Sequence, residues 1–135
     1  MDEKQALEQK YFEFQLLSQQ LEAVQQQIVM LNQKVVEIDA IAANLGQLNN
    51  IEQDKKMWAT VGGGIFVPAK TDGDYKQVLV NVGADTYVKK PVKESQKLVA
   101  EQTVQLQATL KTYEESFVKI QERLVELQTF FEQQQ

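Results

Sequence analysis

Apolar residues recur at alternating spacings of three and four along the first third of the chain. Written as heptads, position a holds Leu7, Phe14, Leu21, Ile28, Val35 and Ala42, and position d holds Lys10, Leu17, Val24, Leu31, Ile38 and Leu45. Only Lys10 departs from this apolar pattern, and neither Pro nor Gly interrupts residues 4–45. A stripe of this kind is typical of a helix in a coiled coil. The pattern therefore predicts a helical segment over residues 1–45, ended by Gly46.

A second heptad stripe occupies the last third of the chain. Position d holds Val99, Leu106, Tyr113, Ile120 and Leu127, and position a holds Thr103, Leu110, Phe117, Leu124 and Phe131. Pro91 lies before the stripe, and Glu94 or Ser95 is placed to cap the start of a helix. The pattern predicts a second helical segment over residues 93–135, close in length to the first.

Two matched helices whose connector begins and ends near one place favour folding back into an antiparallel pair. In such a pair, a layers face d layers. Pairs whose residue numbers add to 141, such as Phe14 with Leu127 or Leu21 with Ile120, give layers that are almost all apolar on both sides. We therefore predict an antiparallel coiled coil in this register. A parallel dimer formed between two chains remains the alternative.

The segment between the helices, residues 46–92, has a different composition. Residues 58–90 are rich in Val, Thr, Tyr and Gly, with turn signals at 62–64, 72–73 and 83–85. They predict four short strands in two hairpins. Because Pro68 cannot donate to a ladder, its strand is expected to be an edge strand or to have its ladder broken there. No amphipathic helix remains to cover the apolar face, so we expect this segment to associate with other chains. A self-sufficient four-stranded domain is the alternative.

Composition excludes several classes of function. Cys and His are absent, which removes disulfides, the usual zinc sites and most nucleophilic or acid/base schemes, so we expect no metal, no cofactor and no catalysis. The net charge of −5 argues against nucleic acid. The triplet Gly62-Gly63-Gly64 lacks the following GKS or GKT of a phosphate loop. Neither a signal core nor a long apolar run occurs, so we expect no membrane association and a cytoplasmic location.

The order of long helix, two hairpins and long helix resembles the alpha-class subunit of prefoldin, a chaperone of archaea and of the eukaryotic cytosol. The local match is GGGIFVPAK at residues 62–70, followed by VLVNVGADTYVKK at residues 78–90. This sequence departs from the family pattern at 59–61, where a proline is often found, and at 83–87, where Gly-Ala-Asp-Thr-Tyr replaces Gly-x-Gly-Tyr-Tyr. The second departure leaves the geometry of the second turn open.

The resemblance implies a hexamer of two alpha-class and four beta-class subunits, whose hairpins form β-barrels in a central hub. The coils would hold non-native client proteins at their tips without ATP and transfer them to a group II chaperonin. The expected fold class is thus α+β, a long antiparallel two-helix coiled coil joined by two β-hairpins that assemble into an oligomeric β-barrel. The residues expected to assemble the subunits are Ile65, Phe66, Val67, Val78, Leu79, Val80, Val82, Tyr87 and Val88.

Aromatic residues that the seam does not require gather where the two helix ends would meet, which we call the tip. Phe12 falls at position f and Phe130 at position g, while Lys10 would face Phe131 and loosen the last layer. We therefore expect a frayed, aromatic tip that can repack around many partners. The expected client-binding residues are Leu7, Tyr11, Phe12, Phe14, Leu127, Phe130 and Phe131. For Phe14, Leu127 and Phe131, the alternative is that they only close the seam of the coil. A structural tether or adaptor without client-holding activity is the alternative function.

Overall fold

The computed structural model of the chain describes residues 2–73 and 75–134, without the side chain of Asn49. Its elements are α1 (Glu3–Gln47), a 3-10 turn (Leu48–Asn50), β1 (Lys56–Gly62), β2 (Ile65–Lys70), β3 (Gln77–Gly83), β4 (Thr86–Pro91) and α2 (Val92–Gln133). The predicted arrangement of two long helices and two antiparallel hairpins is confirmed. Met1 and Gln135, which the predicted helical segments include, lie outside the described residues.

The first helix ends later than predicted, because Gly46 does not stop it. A glycine usually ends a helix by adopting a left-handed conformation, but Gly46 lies inside α1 and is not among the residues with positive φ. The helix runs on to Gln47 and then tightens into the 3-10 turn, where the Ile51 N–H donates to the Leu48 carbonyl at 3.4 Å. The predicted stop at Gly46 is therefore wrong, and a tighter last turn ends the helix instead.

The predicted cap of the second helix is also wrong. The helix begins at Val92, directly after the last residue of β4, so Glu94 and Ser95 both lie within its first turns. The Ser95 hydroxyl donates to the Pro91 carbonyl at 3.2 Å, and Ser95 is buried. The Val92 N–H donates to the Lys76 carbonyl at 2.8 Å. These two hydrogen bonds join the second hairpin to α2 without a linker.

The chain divides into two compact units. One contains the residues up to Val36 and from Val104 onward, and the other is Glu37–Thr103. The first unit is the coiled coil, in which Leu31 and Leu127 are buried. The second unit contains the hairpins and the adjoining helix ends.

Contacts within the coiled coil lie close to the predicted register. The contacting pairs Lys10–Phe130, Tyr11–Phe131, Phe14–Phe131 and Glu13–Arg123 have residue numbers that add to 140, 142, 145 and 136. These sums lie on both sides of the predicted 141. Because each contact joins α1 and α2 of the same chain, the helices pair antiparallel within one subunit. The parallel dimer is not the arrangement found.

The two hairpins are built to the same plan. Adding 21 to the residue numbers of β1 and β2 gives the bounds of β3 and β4. Both hairpins carry an irregularity in register at the same place, between Thr60 and Gly62 in the first and between Asn81 and Gly83 in the second. In each, a polar side chain accepts a hydrogen bond from that glycine N–H, at 3.1 Å for Thr60 and 3.0 Å for Asn81. The middle segment is thus a structural repeat of one hairpin design.

The turn of the second hairpin, which the sequence left open, matches that of the first. Gly63 and Gly64 have φ values of 60° and 76°, and Ala84 and Asp85 have 50° and 57°. Positive φ at both central residues is the type I′ geometry that suits the twist of a two-residue hairpin. Ala84 adopts a positive φ although it lacks the conformational freedom of glycine. The departure from the family pattern therefore leaves the turn intact.

Each hairpin is a separate two-stranded sheet within the described residues. Pro68 lies opposite Trp58 in β2, which pairs with β1 alone, so the prediction of an edge strand is confirmed. A two-stranded sheet is at best marginally stable in water. The hairpins therefore depend on further contacts for their stability.

Thr71 ties the start of the first hairpin to its end. Its N–H donates to the Lys55 carbonyl at 2.9 Å, and its side-chain oxygen accepts from the Lys55 N–H at 2.8 Å. Its carbonyl accepts from the Asp54 N–H at 2.8 Å, and its hydroxyl donates to the Glu52 carbonyl. Thr71 is buried, so these bonds are shielded from water.

Gly73, which follows this joint, is expected to be the glycine least tolerant of substitution. Its φ is 83°, and a Cβ at this position would lie 2.7 Å from the Cβ of Gln53. The Gly73→Ala variant should lower the free energy of unfolding by about 1 to 3 kcal/mol, measured by urea denaturation followed by circular dichroism.

Two matched substitutions separate the effect of backbone strain on stability from the effect of the contact with Gln53. Gly64→Ala places a Cβ in open space at a φ of 76°, so it should show backbone strain without the clash and lose less stability than Gly73→Ala. Gly46→Ala lies inside a helix with open space around it and should gain up to about 1 kcal/mol. Equal losses for Gly73→Ala and Gly64→Ala would contradict the role of the Gln53 contact.

Candidate functional site

Four aromatic rings from the two helix ends form one cluster at the tip. The Tyr11 ring stacks on the Phe131 ring, with centroids 4.3 Å apart and planes 8° from parallel. Phe14 and Phe130 meet the same Phe131 ring edge to face, at 5.8 Å and 5.9 Å. Such pairs add about 0.5 to 1.5 kcal/mol each beyond the area that they bury. Phe131 is therefore the centre of the cluster.

The last layer is packed differently from the prediction. Lys10 was expected to face Phe131, but the Tyr11 ring occupies that place and the Lys10 ammonium lies 4.7 Å from the centroid of Phe130. A cation over an aromatic face at this distance is attracted to it. Tyr11, at a position beside the seam, thus closes the layer that Lys10 leaves open. The cluster is packed around Phe131 and has the Lys10 ammonium at one border.

The seven predicted client-binding residues differ in exposure. Phe12 is 68% exposed and Tyr11 is also exposed. Leu7, Phe14, Phe130 and Phe131 are half-buried. Leu127 is only 1% exposed, which assigns it to the seam between the helices. Phe12 and Tyr11 therefore offer the most apolar surface among the seven residues.

An ion-pair network next to the tip was missed in the sequence. Arg123, the one arginine in the chain, donates from Nε and Nη2 to the two oxygens of Glu13 at 2.7 Å and 3.1 Å, and from Nη1 to Glu126 at 2.9 Å. Glu13 and Arg123 both occupy g positions, which face each other in an antiparallel coil. Opposite charges at these two g positions could have predicted the ion pair from the sequence. The two-pronged contact favours the observed register.

The pair shifts the ionisation of both groups. The hydrogen bond from Arg123 holds the pKa of Glu13 below its ordinary value of 4.5. The hydrogen bonds to Glu13 and Glu126 raise the pKa of Arg123 further above its usual range. The side chains of Arg123 and Glu13 are 40% and 38% exposed, so water screens the interaction and its contribution to stability is small.

A pH dependence of coil stability follows from the lowered pKa of Glu13. A carboxylate with a depressed folded-state pKa stabilises the fold above its unfolded pKa, and this contribution is lost as the pH falls through the folded value. Arg123→Gln should therefore lower the unfolding temperature at neutral pH, and the variant and parent should converge well below pH 4.5. Thermal unfolding followed by circular dichroism at both pH values measures this difference.

Lys119→Gln is the matched control, since it removes one exposed positive charge of α2 that makes no ion pair within the described residues. It should leave the pH dependence of the parent unchanged. A difference between Arg123→Gln and the parent that stays the same at both pH values would contradict the account.

The nine predicted assembly residues all lie on the hairpins, and most of their side chains are exposed. Val78 and Val80 are half-buried. The others are exposed: Ile65, Phe66, Val67, Leu79, Val82, Tyr87 and Val88. Three further exposed apolar residues, Met57, Trp58 and Val61, were missed. Trp58 had a signal in the sequence, as the one tryptophan of the chain at the start of the predicted strands.

Cross-strand pairing sorts these side chains onto two faces of each hairpin, because directly opposed residues point to the same side. One face of the first hairpin, called the Trp58 face below, carries Lys56, Trp58, Thr60, Phe66, Pro68 and Lys70. The reverse face carries Met57, Ala59, Val67 and Ala69, and its counterpart in the second hairpin carries Val78, Val80, Val88 and Lys90. We call these two the aliphatic faces.

The described residues show neither a membrane-crossing helix nor a group of three or more His, Cys, Asp or Glu side chains able to hold a metal ion. Exposed apolar side chains form two candidate surfaces, one at the tip and one on the hairpins.

Comparison with known proteins agrees with this architecture. The family model described as prefoldin subunit matches residues 17–135. Prefoldin subunit alpha of Methanocorpusculum labreanum is 33% identical over 107 residues, which is 79% of this chain and 72% of that protein. Prefoldin subunit alpha of Pyrococcus horikoshii is 28% identical over 123 residues, or 90% of this chain and 78% of that protein.

A solved structure is similar in fold. It is the cryo-EM structure of filamentous PFD from Methanocaldococcus jannaschii, with a TM-score of 0.75 and 18% identity. The match covers 88% of this chain and 98% of that one. With a family model that spans all but the first 16 residues, the chain belongs to the prefoldin family.

Proposed function

We propose that this chain is an alpha-class subunit of an ATP-independent, cytoplasmic chaperone, which holds non-native proteins at the tip of its coil and passes them to a group II chaperonin. The observation that carries the proposal is the tip, where Phe12 and Tyr11 are 68% and 52% exposed, and where Tyr11 belongs to a ring cluster with Phe14, Phe130 and Phe131. An exposed apolar patch on a protein surface ordinarily marks an interaction site. Membership of the prefoldin family supports a chaperone role.

The ring cluster gives the residues of the tip different tasks. Leu127 closes the seam, and Phe14 and Phe131 support the exposed rings from below. Phe12, Tyr11 and Phe130 contact the client. The Lys10 ammonium over Phe130 keeps one border of the patch polar, which limits association between the tips themselves.

The hairpins supply the assembly. Large apolar side chains are exposed on all four strands, and within the described residues the buried apolar side chains are Leu31, Val92 and Leu127, none of them in a strand. Two marginal hairpins with uncovered faces and free edges gain stability by pairing with other subunits. We infer that they close β-barrels with beta-class subunits, in a complex of two alpha-class and four beta-class chains.

Assembly makes weak binding at each tip effective. One patch of a few rings holds an unfolded chain only loosely, but several tips attached to one hub act on the same client at high effective concentration. Such binding uses no nucleotide, because release depends on competition with the next binding partner. This is the physical reason for placing assembly and client contact in separate parts of the chain.

The proposal is tested by mixing the chain with a beta-class prefoldin subunit and measuring the mass of the product in solution. Its ability to suppress aggregation of a denatured client without ATP is then measured. We expect a discrete hexamer that suppresses aggregation. An open polymer, comparable to the filamentous PFD of Methanocaldococcus jannaschii, would contradict the hexamer. A hexamer without suppression would favour the structural tether.

A further inference from the structure

We propose that the Trp58 face of the first hairpin is a second docking surface, distinct from the tip, which binds an acidic segment of a protein outside the complex. The inference rests on the proposed function in one respect, since it takes the hub to close through the aliphatic faces. The Trp58 face is then left on the outside of the hub.

The two faces of the first hairpin differ in exposure even before assembly. Every side chain of the Trp58 face is exposed, with Trp58 itself at 69%. On the reverse side, Ala59 and Ala69 are half-buried, while Met57 and Val67 are exposed at 46% and 40%. The aliphatic face of the second hairpin has Val78, Val80 and Lys90 half-buried and Val88 exposed. Small and branched apolar side chains suit the interior of a small barrel, where space is limited. The large ring of Trp58 does not suit such an interior.

The first hairpin carries a depression, and four of the six residues that line it belong to the Trp58 face. This depression of about 430 Å³ is lined by Lys56, Met57, Trp58, Pro68, Ala69 and Lys70. Trp58 and Pro68 lie directly opposite each other across the two strands and provide its apolar walls. Phe66, one of the residues predicted for assembly, lies further along the same face. In this proposal, Phe66 contacts the docked segment.

Charge identifies the occupant. Lys56 and Lys70 lie directly opposite each other at the open end of the hairpin, an arrangement that costs stability because like charges repel. Within the described residues neither lysine forms an ion pair, and the Trp58 face carries no acidic side chain. A carboxylate placed between the two ammonium groups would relieve the repulsion. An apolar side chain of the same segment would cover Trp58.

An acidic protein segment fits these observations better than a nucleic acid. The face offers two lysines and no arginine, which is fewer positive charges than a phosphate backbone needs for tight binding. Binding of a short acidic segment needs only the local charges and one apolar anchor. The expected partner thus has a stretch of Glu or Asp residues interrupted by one large apolar residue.

Trp58 itself reports on binding, because it is the one tryptophan of the chain. The hexamer is assembled with a beta-class partner whose tryptophans are replaced by phenylalanine. It is titrated with a glutamate-rich peptide containing one leucine, with the same peptide carrying lysine for glutamate, and with a short single-stranded RNA. We expect the glutamate peptide alone to shift the Trp58 emission to shorter wavelength, saturably, and more weakly as salt is added.

Charge reversal provides the specific test. Lys56→Glu with Lys70→Glu should weaken binding of the glutamate peptide by about tenfold or more and create binding of the lysine peptide. Lys93→Glu with Lys97→Glu changes the net charge by the same amount at two exposed positions of α2 and should leave binding unchanged. If the Lys56 and Lys70 double variant does not assemble, Lys70→Gln should give a smaller loss in the same direction.

Three results would overturn the proposal. They are an unchanged Trp58 emission with the glutamate peptide, a shift produced by the RNA, or an emission already shifted on assembly, which would mean that another subunit covers the face. Aggregation of a denatured client is measured on the same preparations. Loss of suppression there would count against the proposed function, whereas intact suppression without peptide binding would count against the Trp58 face alone.

Discussion

Replacing Val80 by aspartate should abolish assembly of the complex while leaving the coiled coil folded. Val80 lies in the middle of β3, opposite Val88, on the aliphatic face of the second hairpin. Assembly would bury the new carboxylate in an apolar interface without a partner, and an unpaired buried charge costs several kcal/mol. The expected result is a subunit-sized mass in solution in place of the hexamer, with a helical circular dichroism signal close to that of the parent.

Val104→Asp is the matched control for this variant. Val104 is an exposed valine on α2, in the coil unit, so the same substitution there adds the same charge away from the hairpins. It should leave the mass of the complex unchanged. A normal hexamer formed by the Val80→Asp chain would remove the assignment of the hairpins to the hub.

Replacing both Phe12 and Phe130 by serine should remove most of the client-holding activity and leave assembly intact. Phe12 is the most exposed ring of the tip, and Phe130 flanks the Phe131 ring under the Lys10 ammonium. Covering a phenylalanine side chain contributes about 1.5 to 3 kcal/mol when burial is complete. Because several tips hold one client, small losses of affinity at each tip combine. The concentration of the hexamer needed for equal protection should therefore rise about tenfold.

The control for the tip variant changes two exposed apolar residues far from the rings. Val36 and Val104 are both exposed, and Val36 lies 24 residues beyond Phe12 in α1, or about 36 Å along the helix. Serine at these two positions should leave protection unaltered. If both pairs of substitutions reduce protection equally, general surface hydrophobicity is responsible and the tip has no special role.

The heptad stripes were enough to predict both helices and their pairing, because burial of a seam repeats along the whole length of a coil. The ends of the helices were not predictable in the same way. Gly46 and Ser95 carry a strong local preference for helix ends, yet the 3-10 turn after Gln47 and the direct junction of Pro91 with Val92 decide where the helices stop. Tertiary contacts override local preference there.

The geometry of the second hairpin turn was also not predictable from its residue types. The Gly-rich turn at 63–64 was evident from composition, whereas Ala84 and Asp85 adopt the same left-handed geometry without any glycine at the two central positions. The strands on either side fix the turn, since their pairing leaves two residues to close it. A repeat of one hairpin design was visible only once the strand bounds were known.

The candidate site was predictable in its residue types but not in its packing. The seven tip residues follow from heptad positions, but the stacking of Tyr11 on Phe131 depends on a ring leaning across the seam from a flanking position. The burial of Leu127 and the exposure of Trp58 also depend on neighbours that are distant in sequence. Periodicity assigns a side chain to a face, and only the contacts show how much of it remains open.

Site-specific photo-crosslinking shows directly whether clients bind at the tip. A photoreactive phenylalanine analogue is placed at Phe12, and in separate preparations at Phe130 and at Val104, in the hexamer bound to a denatured client. We expect strong cross-links to the client from Phe12 and Phe130, and background from Val104. Cross-links of equal yield from all three positions, or from Val104 alone, would contradict this expectation.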